Sequence, residues 1–291
     1  MNVPHGFRLP GDRSDLERRI TTWSRSIGLP ESWLRRYVAT RVVLAMLARA
    51  RDGGGEELFL AKGGATMQLR FGTDARLTRD LDAAFRGEEL SIATALVTAF
   101  ALPLWDFTAK ARELDPFDGE HLHAFVFRHR IALSFRERPF DTVSLELTHQ
   151  PLARGEALQP ALSLAEVRLP GQEEMIVLAT PQQFAEKLHA CTEPDRNTEP
   201  NLRVSDLYDL LLLSRFVDDR SDWTSVAARC RAVFLESATH QWPCEVTVRD
   251  GWAEQWASLG RDLPFEVLGV PADVATAAKQ LNDHMRQRLN R

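Results

Sequence analysis

The sequence predicts an α/β (α+β) protein: a core with a mixed β-sheet and N-terminal helices over residues 1–179, then a mostly helical part over 180–291. Three observations lead there. Strand-like runs fall almost entirely in the first part. From Thr180 onward, apolar residues recur at helical spacing. Between the opening helices and the main strands, Lys62-Gly63-Gly64 and Thr78-Arg79-Asp80-Leu81-Asp82 impose the order strand, glycine turn, short helix, strand.

Taken in order, Ser14 to Ile27 and Pro30 to Arg51 read as helices, the second with Trp33, Tyr37, Val42, Val43, Met46 and Leu47 near one stripe. Gly53-Gly54-Gly55 ends it. That triglycine follows a helix and precedes a strand, the wrong order for a phosphate loop. Phe59-Leu60-Ala61 is a short apolar strand, Met67 to Phe71 a short helix stopped by Gly72-Thr73-Asp74, and Asp80 to Ala83 a half-buried strand with Leu81 and Ala83 inward. Glu88 to Phe100 reads as a helix on Leu90, Ala93, Leu96 and Val97. Strand-like runs follow at Trp105 to Arg112, His123 to Phe135, Thr142 to Thr148, Ala165 to Leu169 and Met175 to Leu178, with Arg136-Glu137-Arg138-Pro139 as a hairpin turn. Thr180-Pro181-Gln182-Gln183 has the form of a capping box opening a helix to about Thr192. Its stripe is Phe184, Leu188 and Cys191, and Lys187 lies beside it. Further helices are expected at Val204 to Val217, Trp223 to Ser237, Gly251 to Leu259 and Ala272 to Leu289.

The composition bounds the function. No apolar run reaches the ~18 residues of a membrane span, and Met1 to Asp15 lacks the apolar centre of a signal peptide, so a cytoplasmic protein with no membrane partner is expected. Cys191, Cys230 and Cys244 have neither disulfide-frame nor zinc-ligand spacing. A net charge of −5 argues against indiscriminate coating of nucleic acid, which needs a broad basic surface. Lysine occurs only at Lys62, Lys110, Lys187 and Lys279, and two of the four fall in the motifs below.

Asp80 and Asp82 stand i, i+2 in a strand and so project from one face, about 7 Å apart. That suits one or two hard divalent cations, Mg2+ or Mn2+, which take oxygen ligands and are completed by substrate phosphates. Gly63 and Gly64 let the backbone approach a ligand closely and aim N–H groups at phosphate oxygens. Two metal ions stabilising attacking and leaving oxygens call for a third carboxylate, and Glu146 in Val143-Ser144-Leu145-Glu146-Leu147 offers one. Asp206 and Asp209, i, i+3, share a helix face where Lys187 can meet Asp209 as an ordinary ion pair or else reach the phosphates of a nucleotide.

These pieces, in this order, together with Pro181 through Phe184 to Glu186-Lys187-Leu188-His189-Ala190 and Asp206-Leu207-Tyr208-Asp209-Leu210, resemble the AbiEii/AbiGii family of nucleotidyltransferase toxins, in particular its MenT-like branch. The resemblance implies a polymerase-β-like nucleotidyltransferase core followed by a helical part. It implies Asp80 and Asp82 as the metal pair, Lys187 as the lysine contacting the nucleotide and Asp209 as the acidic residue completing the pocket. Gly63 and Gly64 become the phosphate turn, with Lys62, Thr78 and Arg79 beside it. Many relatives carry serine or threonine directly after the glycines where this chain has Ala65, so Thr66 is the candidate for the hydroxyl contact.

The resemblance further implies an enzyme that adds nucleotides from a nucleoside triphosphate to the 3′ end of tRNA, and a cognate antitoxin as partner. Arg70, Arg76, Arg79, Arg128, Arg136 and Arg138 are candidates for a basic approach path. A nucleotidyltransferase acting on a small molecule or a protein uses the same carboxylates and stays open. So does a non-catalytic protein that senses nucleotide or docks an antitoxin. Phosphorylation of Thr78 would add about 1.5–2 negative charges beside the metal pair, which makes Thr78 modification, alongside plain blockade, a route to silencing.

Overall fold

The computed structural model describes residues 8–113, 126–195, 200–220 and 222–289, so the expected strand start at His123 lies outside the described residues. Helix α1 (Arg13–Ile27) begins where the Asp12 side chain accepts the Asp15 N–H at 2.8 Å. Helix α2 (Glu31–Leu47) departs from the expected stripe, because it is buried on nearly every side from Trp33 to Leu47. A helix apolar all round belongs in the centre of a core. There α2 packs on the sheet, with Arg41 satisfied by the carbonyls of Leu162 and Gln172 and by the Tyr37 hydroxyl.

Strand β1 (Phe59–Ala61), helix α3 (Gly63–Phe71) and strand β2 (Asp80–Phe85) follow as expected, except that Gly63 and Gly64 form the first turn of α3 itself. The expected helix from Glu88 is shorter. A 3-10 turn, Glu89–Ser91, held by Ser91 N–H and Oγ on the Glu88 carbonyl, precedes α4 (Ile92–Phe100) and resets its phase. Ile92, Ala95, Leu96 and Ala99 are buried as a result, while Leu90 and Val97 point outward.

Strands β3 (Phe107–Glu113), β4 (Val126–Phe135) and β5 (Arg138–His149) form an antiparallel meander. The hairpin between β4 and β5 turns in two residues, Arg136 and Glu137, both at positive φ, a tighter turn than the four-residue one expected. Strand β6 (Gly155–Leu158) was not expected, since Gly-Glu-Ala-Leu has little alternation, and the strand owes its pairing to β7 (Met175–Leu178). The strand expected at Ala165–Leu169 is instead a 3-10 helix, Leu164–Val167. Ser163 Oγ accepts the Ala165 N–H, and Arg168 at φ 53° ends the turn.

The sheet is mixed, in the order β3-β4-β5-β2-β1-β7-β6, with β2 parallel to β5 and β1 parallel to β7. One face carries Leu81, Ala83, Ile131, Leu133, Val143, Leu145 and Leu147, all buried in the core that includes α2. The other face of β2 and β5 carries Asp80, Asp82, Ser144 and Glu146.

The C-terminal part is helical: α5 (Thr180–Thr192), α6 (Val204–Arg220), α7 (Trp223–Ser237), α8 (Trp252–Asp262) and α9 (Val274–Leu289). The capping box does not form at α5. Ala179 is the cap and no side chain caps the end; Thr180 is already helical, so Pro181 takes the second helical position instead of the expected first. By contact, the chain divides into two compact units. The first runs to Leu178 but excludes Asp74–Arg76, which belong with the second, from Ala179 onward. Among the described residues, no helix is long and apolar enough to cross a membrane. The three cysteines are free thiols.

Candidate active site

In the first unit, β1 hands the chain to α3 at Lys62, whose N–H donates to the Asp82 carbonyl at 2.9 Å. Lys62 is thereby the extended, half-buried residue that caps α3. Gly63 follows at φ 60°, in the left-handed region. A Cβ there would lie 2.1 Å from Asp82 Oδ2, so the Asp82 carboxylate rests directly on the glycine. Gly64 is as tightly covered, by Thr78, whose Cβ would be 2.7 Å from an added methyl. Both glycines are therefore required by close approach. They place the N-terminus of a nine-residue helix, with its positive dipole end, against an aspartate pair.

Asp80 is exposed and Asp82 half-buried, on the same face of β2. Asp82 stands in register with Glu146, and Asp80 with Ser144, on parallel neighbouring strands about 4.8 Å apart. Glu146 Oε1, however, lies 2.9 Å from Arg128 Nε. Among the described residues no group of three or more His, Cys, Asp or Glu side chains is assembled to hold a metal ion. The donors present still fit a hard divalent cation: two carboxylates on one accessible face, over a helix N-terminus that favours the phosphates such an ion shares. Glu146 sits in the same row but is turned to an arginine.

Thr78 precedes the strand instead of lying in it, and its hydroxyl donates to the Asp80 carbonyl at 3.1 Å. Arg79 is exposed. Thr66 is fully buried in the first half of α3, and its Oγ1 has no hydrogen-bond partner among the described residues.

The second unit holds a buried cluster of charge. Lys187 Nζ on α5 donates to Asp206 Oδ1 at 2.8 Å and to Asp209 Oδ2 at 2.6 Å on α6. Arg76 adds a third contact, 3.1 Å from Asp209 Oδ2. Asp209 is wholly inaccessible, and its other oxygen, Oδ1, has no partner among the described residues. Burial alone would lower the Lys187 ammonium, but Asp206 and Asp209 outweigh it and the net shift is upward. Asp206 is likewise opposed by burial, yet Lys187, then Arg203, hold it below the usual carboxylate range. Spacing i, i+3 from Asp209 puts Asp206 on the same helix face and by itself assigns it no role. The structure makes it an equal partner of Asp209, a fact that the i, i+3 spacing alone already allowed. Tyr208 ties Asp74 to this cluster, its hydroxyl donating to the Asp74 carbonyl at 2.5 Å.

The expected basic path is largely dismantled. Arg70 is buried against Glu156, Arg76 serves Asp209, Arg128 pairs with Glu146, and Arg136 holds Asp106 and the Gly11 carbonyl. Arg79 and Arg138 remain exposed.

This mixed sheet, with a glycine-started helix beside an aspartate pair, has likenesses among solved structures. The structure is similar to MenT4, a nucleotidyltransferase toxin from Mycobacterium tuberculosis, with a TM-score of 0.53 and 18% identity over 94% of this chain and 87% of that one. It is less similar to an antigenic nucleotidyltransferase-like protein from Paracoccidioides brasiliensis, with a TM-score of 0.38 and 16% identity over 67% of this chain and 96% of that one. No curated protein sequence matches. The family described as nucleotidyl transferase AbiEii toxin, type IV toxin–antitoxin system, matches residues 45–287. The chain belongs to that family of nucleotidyltransferase toxins, and such a toxin–antitoxin system implies an antitoxin partner.

Proposed function

We propose that this toxin transfers nucleotides from a nucleoside triphosphate to the 3′ end of tRNA, with Asp80 and Asp82 holding Mg2+ or Mn2+. The observation that carries the reading is the seating of the Asp82 carboxylate on Gly63, at the start of α3 and beside Asp80. When bound, the divalent ion would supply charge neutralisation of the triphosphate and of the attacking 3′-oxygen. The chain's own contribution is positional. The first-turn N–H groups of α3 orient phosphate oxygens, the bare Cα of Gly63 lets the aspartate and the phosphates share one place, and Thr78 fixes the loop that enters β2. Glu146 becomes a third carboxylate if Arg128 releases it, an exchange that an incoming polyanion competing for the guanidinium would favour.

The same proposal gives Lys187 and Asp209 a part in handling the nucleotide, and Lys62, Thr66 and Arg79 supporting places around the glycine turn. What supports the first pair is chemistry: Lys187 keeps a third N–H that neither of its carboxylate hydrogen bonds uses, and Asp209 keeps an oxygen without a partner.

Incubating the purified protein with each labelled ribonucleotide, divalent cation and total RNA tests the reading. Label is expected in the tRNA fraction and is expected to disappear in Asp80→Ala. Label in a protein or small-molecule fraction would replace tRNA as the acceptor, and label retained by Asp80→Ala would remove the aspartate pair.

A further inference from the structure

Strand register places four cations on the sheet face that carries Asp80 and Asp82. Across the sheet, Asp80 is level with Ser144, Ser144 with Arg130, and Arg130 with Arg112, while Asp82 is level with Glu146 and Glu146 with Arg128. Lys110, i−2 from Arg112, shares its face. Side chains of the opposite parity on β4 and β5, Ile131, Leu133, Val143 and Leu145, are buried in the core, which fixes the orientation of the row. Lys110, Arg112 and Arg130 are exposed, and none makes an ion pair or hydrogen bond among the described residues. Arg128 beside them is paired with Glu146.

This arrangement works against stability. Like charges directly opposite on paired strands repel, and Arg112 faces Arg130 in just that position. A protein of net charge −5 has carboxylates in plenty with which to pair them. We propose that the β3–β4 face is the seat of the RNA acceptor, with Arg112 and Arg130, assisted by Lys110, holding phosphodiester groups upstream of the 3′ end. The inference rests on RNA being the acceptor. Distance supports it. At ~4.8 Å per strand, Arg130 and Arg112 lie about 10 and 14 Å from Asp80 in backbone terms, the length of three to four stacked nucleotides at ~3.4 Å each. These are positioning residues. They hold the acceptor and do not touch the reacting atoms.

The test is binding of tRNA by the full chain at several salt concentrations, with Arg112→Ala/Arg130→Ala against wild type. The double variant is expected to bind about tenfold more weakly at low salt, with the slope of log K against log salt reduced by about 2. Arg112→Lys/Arg130→Lys is expected to recover most of the affinity, since a point charge serves a phosphate. The alanine variant should melt no lower than wild type, because a repulsion has been removed. Its transfer reaction should show a raised KM for RNA with kcat nearly unchanged and nucleotide binding intact. Unaltered affinity and slope, in a variant of a protein that does label RNA, would overturn this inference and leave the proposed function standing. Loss of neutralisation by the antitoxin with unaltered RNA binding would also overturn it, by giving the face to the antitoxin. Wild-type protein that labels another acceptor, or that neither binds nor labels RNA, would overturn both.

Discussion

Replacing Lys187 by methionine would take one charge from a buried group that otherwise balances two ammonium or guanidinium cations, Lys187 and Arg76, against two carboxylates, Asp206 and Asp209. At an effective dielectric of 20, the contacts at 2.8 and 2.6 Å are each worth about 6 kcal/mol of gross attraction. Desolvation of the ions costs several kcal/mol apiece, so the intact cluster contributes little net stability. The variant differs because the costs remain while the partner is gone. Asp206 keeps only Arg203, at the outer limit of contact, and Asp209 keeps only Arg76. Breaking a buried pair from one side costs about 3–5 kcal/mol, which lowers Tm by on the order of 10 °C for a domain of this size.

The sign of the pH dependence sharpens the test. In the wild type, Asp206 sits below its ordinary value, so its contribution is present above pH ~4 and is lost as pH falls through the folded value. Lys187 sits above its ordinary value, so its contribution is present below pH ~10 and is lost as pH rises beyond that. Between these limits the cluster makes no demand on pH. In Lys187→Met, burial at Asp206 is opposed only by the more distant Arg203 and Arg76, so its pKa rises, and the deficit should shrink from pH 7 to pH 5 as a carboxyl takes up a proton. Urea unfolding at both pH values measures it. A deficit under about 1 kcal/mol at pH 7, or one that does not shrink on acidification, would refute the description of the cluster as buried and mutually dependent.

Two further outcomes follow from the first unit. Gly63→Ala should lower kcat for nucleotide transfer by roughly 10²-fold, because the new methyl must displace the Asp82 carboxylate and the residue must hold a positive φ; steady-state rates, with circular dichroism to confirm folding, check it. Thr78→Ala loses one hydroxyl contact and should keep most transfer activity; if the antitoxin acts by modifying Thr78, the variant should escape neutralisation on co-expression, whereas full neutralisation would assign silencing to blockade.

Legibility followed the range of the interaction that decided each feature. The order β1, glycines, α3, β2 was readable because every part of it is local: an apolar run, a pair of glycines, a helical period, an alternation around Asp80 and Asp82. The capping box at Thr180 was local too, and it misled, since the helix already includes Thr180 and has Ala179 as its cap. The stripe on α4 failed because Leu90 belongs to the preceding turn, so a single phase was fitted across two elements. Strand β6 was invisible because its pairing with β7 was the only thing that made it a strand.

By itself the sequence determined that Asp80 and Asp82 share one face, since Asp-x-Asp in a strand puts both carboxylates on the same side whatever else surrounds it. It also determined which helices carry Lys187, Asp206 and Asp209. Tertiary structure decided how the charges were spent. Arg70, Arg76 and Arg136 were drawn into ion pairs by carboxylates between 30 and 133 positions away in the chain. Arg112 and Arg130 were left facing one another by strand register. Pairing of that kind depends on distance in space, and a linear pattern records only distance along the chain.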